Sequence, residues 1–302
     1  MISPKELLVK LTRPLWGRAA HPGVDIIVPI HGAPQATLRC LESVRRHATG
    51  DWQLRIIDDA SPDPEMAHAL RAFATAAPRA RLHLQKEQRG FVATANHGMQ
   101  LATAAGRDSL LLNSDTIVPA GFNRRLATTV YADANTGVAT PYTNNGTICS
   151  IPEFLGNNPI PRGYNVESFD ALVQSASLRL RPELVTAVGF CMYIRQTTLR
   201  EVGFFDAEHF GRGYGEENDF CERAKARGWK IRLCDDLFVY HQGGASFGES
   251  AKILQEEHNQ RMAELHPHYH QSVQNFVQQN PLAPLQARIR KRLLEDQSRL
   301  GN

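Results

Sequence analysis

Hydrophobic and polar positions follow two alternating patterns along the first third of the chain. Short runs rich in apolar residues predict strands, and they occur at 25–30, 54–57, 81–85 and 110–112. Between them, apolar residues recur at helical spacing, which predicts helices at 34–47, 64–76 and 91–104. Strands and helices that alternate in this order predict an α/β domain built on a doubly wound, mostly parallel sheet.

The alternation becomes irregular after residue 115. The segment 140–161 is rich in Asn, Gly, Pro and Thr, and this composition predicts a long surface loop. Farther along, the pattern predicts strands at 187–194, 230–233 and 237–240, and helices at 197–202 and 218–227. From about Glu249 the chain is polar with helical spacing and is interrupted by three prolines.

These patterns divide the chain into three predicted segments. They are a helical N-terminal extension at 1–20, one α/β domain at 21–250 and a helical C-terminal extension at 251–302. Within the two extensions, the segments 5–15 and 285–295 combine leucines with basic residues. Helices of this kind bind anionic membrane surfaces, but they also pack against a protein core or a partner subunit. The sequence is compatible with both interpretations.

Composition narrows the class of protein. The chain has 302 residues, 34 Lys and Arg against 31 Asp and Glu, and a net charge of +3, which argues against a nucleic-acid partner. We find no apolar run long enough for a membrane-spanning helix and no secretory signal. Five cysteines without a CxxC spacing argue against a disulfide framework and a zinc site. We therefore expect a cytoplasmic protein.

Acidic residues follow the predicted strands. Asp115 comes directly after the apolar run at 110–112, Asp58 and Asp59 end the strand at 54–57, and an acidic turn precedes the helix at 218–227. The carboxyl ends of parallel strands form the ligand-binding edge of an α/β sheet. Several carboxylates there repel one another unless a cation or a proton-transfer role stabilises them. This pattern indicates an enzyme that handles a metal-bound phosphate ester.

Seven segments together carry a resemblance to a known family. In chain order they are DIIVPIHG, RIIDDASPD, RGFVATANHG, LLLNSDTIVP, VGFCMYIRQTTLREVGFFD, GYGEENDFCERAKARGW and VYHQGGASF. The chain resembles the inverting glycosyltransferases of family 2, and the resemblance implies a single Rossmann-like domain of the GT-A fold with helical extensions at both ends. The segment TPYTNNGTICSIPEF is similar to bacterial enzymes that build O-antigen and other surface polysaccharides, rhamnosyltransferases among them.

The resemblance implies a metal site that holds the donor diphosphate. Asp115 matches the last acid of the family's DxD triplet, which binds Mn²⁺ or Mg²⁺. The triplet here is Asn113-Ser114-Asp115, so the first acid is missing. By the same resemblance, His241 completes the ligand shell of the cation. Asn113 and Ser114 are expected beside the donor nucleotide.

The other donor residues also follow from the resemblance. Asp59 is expected to accept a hydrogen bond from the ring N–H of a pyrimidine base, although turn chemistry in DASPD is the alternative. The end of the first strand is expected to flank the base with Pro29, Ile30 and His31. Arg89 and Asn96 are expected near the diphosphate and the donor sugar.

The acidic turn supplies the expected catalytic base. Glu217 in GEENDF occupies the position of the family's base, where an Asp is usual. Glu216 is expected to orient the loop or the acceptor. Asp219 is more simply a carboxylate stabilised at a helix N-terminus. The pair Gly189-Phe190 is expected to line the acceptor side of the pocket.

The resulting expectation is transfer of a sugar from a nucleoside diphosphate donor to a hydroxyl of a saccharide or lipid-linked saccharide. UDP- and dTDP-sugars are the candidate donors, with dTDP-rhamnose the first to test, and the site of action is the cytoplasm or the inner face of the cell membrane. Two alternatives are a sugar-phosphate nucleotidyltransferase and a non-catalytic nucleotide-sugar-binding module. A nucleotidyltransferase should have a Gly-rich, Lys-containing loop after the first strand. The segment PIHGAP at this position has one Gly and no Lys.

Overall fold

A computed structural model describes residues 22–211, 213–243 and 249–300. The predicted N-terminal extension at 1–20, including its basic segment 5–15, lies outside the described residues.

The described residues form nine strands and eleven α-helices, with one 3₁₀ turn at Thr147–Cys149. The strands are β1 (Val24–Ile30), β2 (Trp52–Asp58), β3 (Ala80–Leu84), β4 (Asp108–Leu112), β5 (Thr116–Ile117), β6 (Thr136–Tyr142), β7 (Cys191–Ile194), β8 (Lys230–Phe238) and β9 (Tyr240–His241). The helices are α1 (Pro34–His47), α2 (Pro64–Ala76), α3 (Phe91–Ala104), α4 (Phe122–Val130), α5 (Val166–Ala176), α6 (Gln196–Val202), α7 (Ala207–Phe210), α8 (Glu216–Lys225), α9 (Glu249–Leu265), α10 (Tyr269–Gln279) and α11 (Ala283–Leu300).

Seven strands form the central sheet in the order β3-β2-β1-β4-β7-β6-β8. Strand β7 is antiparallel to both of its neighbours, while the other adjacent pairs are parallel. The sheet is therefore mostly parallel, and the ends of β1, β2 and β4 meet at one edge. A second, two-stranded sheet pairs β5 with β9, which brings the chain after Asp115 against His241.

Strand β1 shows how the sheet is stabilised. All seven of its residues are buried, and successive side chains enter the hydrophobic cores on opposite faces of the sheet, as Ile26 and Ile27 do. Helix α3 approaches so closely that a Cβ added to Gly98 would lie 2.3 Å from a methyl carbon of Ile27. A side chain at position 98 would push the helix away from the sheet.

The amino edge of the sheet is held by buried ion pairs and hydrogen bonds. Asp25 is fully buried and receives the Nε–H groups of Arg55 and, at 2.6 Å, of Arg107. Asp108 is also fully buried, and it accepts hydrogen bonds from the hydroxyls of Tyr131 and Tyr193 at 2.9 and 2.7 Å. These acids tie neighbouring strands and helices together.

The first half of the fold agrees with the sequence prediction, and the middle departs from it. Helices α1, α2 and α3 have the predicted bounds. The prediction of a surface loop at 140–161 was wrong. The segment begins inside β6, and residues 147–151 are largely buried. The polar side chains of this segment form hydrogen bonds with backbone groups instead of with water. For example, the amide group of Asn158 donates to the carbonyl of Glu153 at 2.9 Å.

Two further details differ from the pattern-based prediction. The strands predicted at 230–233 and 237–240 are one continuous strand, β8, followed by the short β9. Helices α4 and α5 were not predicted, although both bury apolar residues against the sheet.

The C-terminal helices pack on the α/β body. In α11 the apolar residues Leu285, Ile289 and Leu293 are buried, and Arg288 donates to the carbonyl of Ala176 at 2.9 Å. Three of the apolar residues of the basic segment 285–295 are therefore covered by protein, as the packing interpretation expects, while Leu294 is 66% exposed. Within the described ranges, no helix has both the length and the apolar character to cross a membrane.

Candidate functional site

The loops after β1, β2 and β3 are joined by hydrogen bonds at the carboxyl edge of the sheet. Asp59 is buried, and its two carboxylate oxygens accept the backbone N–H groups of Arg89 and Gly90 at 2.7 and 2.8 Å. The Nδ1–H of His31 donates to the carbonyl of Asp59 at 3.0 Å. Asp59 therefore holds the loop that carries Arg89 against the end of β2.

The predicted base-contacting residues differ in their access to this edge. Pro29 and Ile30 are buried within β1, and the carbonyl of Ile30 accepts the N–H of Asp59 at 2.8 Å. His31 and Arg89 are exposed. Asp58 accepts hydrogen bonds from Ser61, so it stabilises its own loop. Of the predicted base-contacting and diphosphate-contacting residues described here, His31 and Arg89 therefore have side chains that face solvent.

Asp115 and His241 face each other across the small sheet. Strand β5 pairs with β9 in a register that sets Thr116 opposite His241, and the Nε2 of His241 lies 3.4 Å from a carboxylate oxygen of Asp115. The other carboxylate oxygen accepts the N–H of Gly243 at 3.0 Å. Asn113 and Ser114, just before Asp115, are partly exposed.

Two hydrogen bonds to the backbone of His241 and two contacts to its imidazole fix this residue in place. Its Nδ1–H donates to the carbonyl of Asn145 at 2.9 Å, and the side chain of Asn144 pairs with its backbone N–H and C=O at 2.8 and 2.9 Å. The ring of Phe190 stacks on it with centroids 5.2 Å apart. Because Nδ1 carries the proton, the lone pair of neutral His241 is on Nε2 and faces Asp115.

Burial and mutual attraction shape the ionisation of this pair. Burial opposes the charge on Asp115, but the hydrogen bond and positive charge of His241 outweigh it and lower the pKa of the carboxyl. Burial likewise opposes the charge on His241, and the contact with Asp115 outweighs it and raises the pKa of the imidazole. Both pKa shifts therefore favour an ionised Asp115 next to a positively charged group.

The acidic turn lies on the other side of the Gly189-Phe190 segment. Glu216 and Glu217 begin α8, and a Cβ added to Gly189 would lie 3.6 Å from the side chain of Glu217. Phe190, the next residue, contacts His241. The segment therefore connects Glu217 with the Asp115–His241 pair.

Burial raises the pKa of both carboxyl groups in the acidic turn. Glu216 is 5% exposed and its Oε2 has no hydrogen-bond partner among the described residues. Burial, followed by the negative charge of Glu217, raises the pKa of Glu216 well above its usual value. Burial also raises the pKa of Glu217, and neighbouring backbone N–H groups oppose this shift. Glu217 is partly exposed, whereas Glu216 is buried.

Two predicted site residues are engaged in the scaffold. The amide group of Asn96 donates to the carbonyl of Phe205 at 2.8 Å and accepts its N–H at 3.0 Å, so it fastens α3 to the turn before α7. Asp219 accepts hydrogen bonds from Arg223 and His266, both at 2.8 Å. Asp219 therefore has a structural role in the first turn of α8, but its partners are two side chains rather than the N–H groups of the helix N-terminus that were expected from the sequence. The donor-binding role of Asn96 stays a prediction.

Helix α9 supplies contacts to the turn that sequence reasoning missed. His258 is buried and its Nδ1–H donates to the carbonyls of Gly213 and, at 3.0 Å, of Tyr214. Met262 lies against Gly215, and His266 contacts Asp219. The spacing of His258, Met262 and His266 sets them on one face of the helix. This helical spacing was the signal in the sequence that could have revealed these contacts. The hydrogen bonds of Asn144 and Asn145 to His241 have no such signal in the local sequence.

The donor set at Asp115 is small for a metal ion. Among residues 22–211, 213–243 and 249–300, no cluster of three or more His, Cys, Asp or Glu side chains is arranged to hold one. Asp115 and His241 offer one carboxylate oxygen and one imidazole nitrogen at 3.4 Å. This pair fits a divalent cation only if a bound ligand and water supply the remaining coordination positions.

Comparison with known proteins agrees with this architecture. The profile described as Glycosyl transferase family 2 matches residues 25–202. An uncharacterized protein, y4gI, of Sinorhizobium fredii (strain NBRC 101917 / NGR234) is 31% identical over 85 residues, which is 28% of this chain. The O-antigen biosynthesis protein RfbC of Myxococcus xanthus is 33% identical over 79 residues, or 26% of this chain. The aligned parts span only 9% and 6% of these two relatives.

Solved structures share the fold at low sequence identity. The mannosyltransferase PcManGT from Pyrobaculum calidifontis, in complex with GDP-Man and Mn²⁺, has a TM-score of 0.59 at 14% identity, covering 93% of this chain and 76% of its own. GalNAc-T7 with UDP, GalNAc and Mn²⁺ has a TM-score of 0.60 at 12% identity, covering 81% and 48%. The α/β fold is thus of the GT-A type. Because the profile match covers more than half of the chain, the protein belongs to glycosyl transferase family 2.

Proposed function

We propose that the protein transfers a sugar from a nucleoside diphosphate donor to a hydroxyl group of a saccharide acceptor, with inversion at the anomeric carbon. The observation that carries this proposal is the connection of the Asp115–His241 pair to Glu217 through Gly189 and Phe190. Displacement of a diphosphate by a hydroxyl needs charge stabilisation for the leaving group and a base for the nucleophile. In this proposal the Asp115–His241 pair serves the leaving group, and Glu217 is the base.

The leaving-group side rests on Asp115 and His241. The carboxylate of Asp115 and the Nε2 lone pair of His241 would hold Mn²⁺ or Mg²⁺, and the bound cation would neutralise charge on the departing diphosphate. Asn145 and Phe190 support this role, because they keep the imidazole in the tautomer and orientation that presents Nε2. Both solved neighbours contain Mn²⁺, which supports the use of a divalent cation by this chain.

The acceptor side rests on Glu217. The carboxylate accepts the proton of the attacking hydroxyl while the acceptor oxygen bonds to the anomeric carbon and the bond to the diphosphate oxygen breaks. A raised pKa makes Glu217 a stronger base than an ordinary carboxylate, which supports this role. Glu216 is then the neutral neighbour, since burial raises its pKa further. One negative charge in the turn is easier to sustain than two.

The donor nucleotide is assigned to the edge formed by His31, Asp59 and Arg89. Asp59 contributes by fixing the loop of Arg89, and each of its oxygens keeps a second lone pair that would accept a hydrogen bond from the base. Arg89 pairs with the diphosphate, and Asn113 and Ser114 lie along it. We assign UDP- or dTDP-sugars as donors, with dTDP-rhamnose the first to test. The neighbours contain GDP-Man and UDP, so likeness of fold does not choose between purine and pyrimidine.

The acceptor is assigned to surface polysaccharide synthesis, as a saccharide or a lipid-linked saccharide. The similarity to the O-antigen biosynthesis protein RfbC supports this class. A lipid-linked acceptor would bring the enzyme to the inner face of the cell membrane. In this proposal residues 21–250 form the catalytic domain, and residues 251–302 form an extension whose helix α9 supports the acidic turn.

The deciding experiment measures nucleoside diphosphate release from a panel of sugar nucleotides, with acceptor saccharides added. We expect release with at least one pyrimidine donor, loss of release with excess chelator, and recovery with Mn²⁺ or Mg²⁺. NMR of the product would show the inverted anomeric configuration. Full turnover in excess chelator would contradict the cation site, and a retained configuration would contradict single displacement by a base such as Glu217.

A further inference from the structure

A groove opens beside Asp115, on the side where α1 and the start of α5 approach the small sheet. It has a volume of about 710 Å³, and its walls come from Ala36 and Arg39 on α1, from Tyr240 and Gln242, and from residues 157–166. Asp115 lines the groove and also contacts His241. The groove therefore begins at the proposed diphosphate site.

The walls of the groove suit a neutral, polyhydroxylated ligand. Among the described lining residues the charged side chains are Arg39 and Asp115, one of each sign, so these walls favour neither an anionic polymer nor a basic peptide. The exposed Asn157 and Gln242 present amide groups that both donate and accept hydrogen bonds. Tyr164 and Tyr240 add rings with one apolar body and one polar tip. Amides next to such rings match the hydroxyl and C–H faces of sugars.

The groove is also connected to the catalytic groups. The backbone of Asn157 forms a β-bridge with Asn145, and the carbonyl of Asn145 accepts the Nδ1–H of His241. Arg39 donates to the side chain of Gln242 at 3.1 Å, which joins α1 to the residue after β9. None of the donor-edge residues His31, Asp59 and Arg89 lines the groove. The groove is therefore separate from the proposed donor edge and shares Asp115 with the proposed cation site.

We propose that this groove binds the sugars of the acceptor that do not react, so that the enzyme recognises a saccharide chain rather than a single sugar. The inference rests on the proposed function, since the reacting hydroxyl must lie near Glu217 while the rest of the chain extends past Asp115. A volume of about 710 Å³ falls within the range of roughly 300–1,000 Å³ typical of small-molecule pockets. The groove therefore has room for more than one sugar ring.

The test fills the groove with a tryptophan. Ala36→Trp extends a large side chain from α1 into the groove, and Gln35→Trp is the matched control because the neighbouring Gln35 is exposed and is not part of the lining. Asn157→Trp fills the groove from the opposite wall, with exposed Leu155→Trp as its control. The second pair keeps the test decisive if Ala36→Trp does not fold.

The probes are methyl glycosides of rhamnose, mannose, galactose and N-acetylglucosamine, and the trisaccharides built from them. We expect saturation-transfer NMR to detect a trisaccharide on the wild type and both controls, with affinity at least about tenfold weaker in the groove variants. Affinity for the nucleoside diphosphate should stay unchanged. In turnover, the wild type should prefer that trisaccharide over its monosaccharide, and the groove variants should lose the preference.

Binding and turnover separate the two proposals. Trisaccharide binding without sugar transfer from any donor would reject the proposed function and leave the groove as a saccharide site. Transfer that ignores acceptor length, or trisaccharide binding that is equal in the groove variants and the controls, would overturn the groove. Absence of trisaccharide binding to the wild type would overturn it as well.

Discussion

Asp25 and Asp108 at the amino edge of the central sheet are bonded differently from Asp115 and Glu216 on the side of the proposed site. At the amino edge, Asp25 meets two arginines, and Asp108 meets two tyrosine hydroxyls and the backbone N–H of Gln196. At the carboxyl edge, Asp115 faces the Nε2 of His241 at 3.4 Å, and one oxygen of Glu216 has no partner within the described chain.

The difference separates acids that hold the fold from acids that are available to a ligand. A buried carboxylate that is fully hydrogen-bonded contributes to a unique structure, and removing its partner leaves an uncompensated charge. A buried carboxylate with unfilled hydrogen-bonding capacity costs stability, and such groups concentrate at functional sites. The contrast predicts that substitutions at the carboxyl edge reduce activity, whereas substitutions at the amino edge reduce stability.

The largest effect on activity is expected from Asp115→Ala. The variant loses the carboxylate that the proposed cation site requires, so sugar transfer should fall by roughly 10³-fold or more, the scale of losing a key electrostatic group. Nucleoside diphosphate release measures the loss. The melting temperature should stay close to that of the wild type, and substitution of the half-exposed Asp133 by Ala serves as the control. Normal transfer by Asp115→Ala would remove the central residue of the proposed site.

The corresponding change at the amino edge is Asp25→Asn. It leaves Arg55 and Arg107 without their shared buried carboxylate, so the free energy of unfolding should fall by about 3–5 kcal/mol. Urea unfolding measures this change. The matched control is Asp51→Asn, because Asp51 contacts the same Arg107 from a side chain that is 71% exposed. That control should cost less than about 1 kcal/mol. Equal losses in the two variants would contradict the distinction between the edges.

Glu217→Gln should reduce turnover by roughly 10²-fold or more, the usual scale for removing a general base, without weakening nucleoside diphosphate binding. The pH profile sharpens the assignment. Because the pKa of Glu217 is raised, the active carboxylate form should accumulate only above the usual range for a glutamate, so the wild-type rate should rise with pH through that region. Steady-state kinetics and calorimetry measure the two effects. Near-normal turnover would direct the same test to Glu216.

A smaller effect is expected when the support of the turn is removed. His258→Ala deletes the donor to the carbonyls of Gly213 and Tyr214, so turnover should fall by roughly tenfold through misplacement of Glu217, with nucleotide affinity unchanged. His258→Asn retains an N–H near the same position and should restore part of the rate. The exposed His268 provides the control His268→Ala. A purely structural role would lower stability in His258→Ala without changing kcat of the folded protein.

The sequence predicted one half of this molecule better than the other for physical reasons. The strands and helices from β1 to β4 are encoded by local periodicity, and the acids at 59 and 115 follow strand ends. The segment 140–161 was misjudged because the partner of a buried asparagine, such as Asn158, is settled by tertiary contacts. The fastening of Asn96 to Phe205, like the support from His258, depends on residues far apart in the chain.

The smallest expected effect concerns the carboxyl group of Glu216, whose Oε2 has no hydrogen-bond partner among the described residues. Its folded-state pKa is raised above the unfolded value, so the native state holds its proton more tightly than the unfolded chain. The stability gained from protonation is fully present below the unfolded pKa and is lost as pH rises through the folded pKa.

Glu216→Gln keeps the shape of the side chain and cannot ionise. It should melt higher than the wild type at pH 8, by roughly 2–4 °C, the shift that 1 kcal/mol produces in a domain of 150–250 residues. At pH 4 the difference should disappear. Differential scanning calorimetry at both pH values measures this, with the exposed Glu208→Gln as control. A Glu216→Gln variant that is less stable than the wild type at pH 8 would mean that the carboxylate is compensated after all, and the contrast between the two edges would then rest on Asp115 alone.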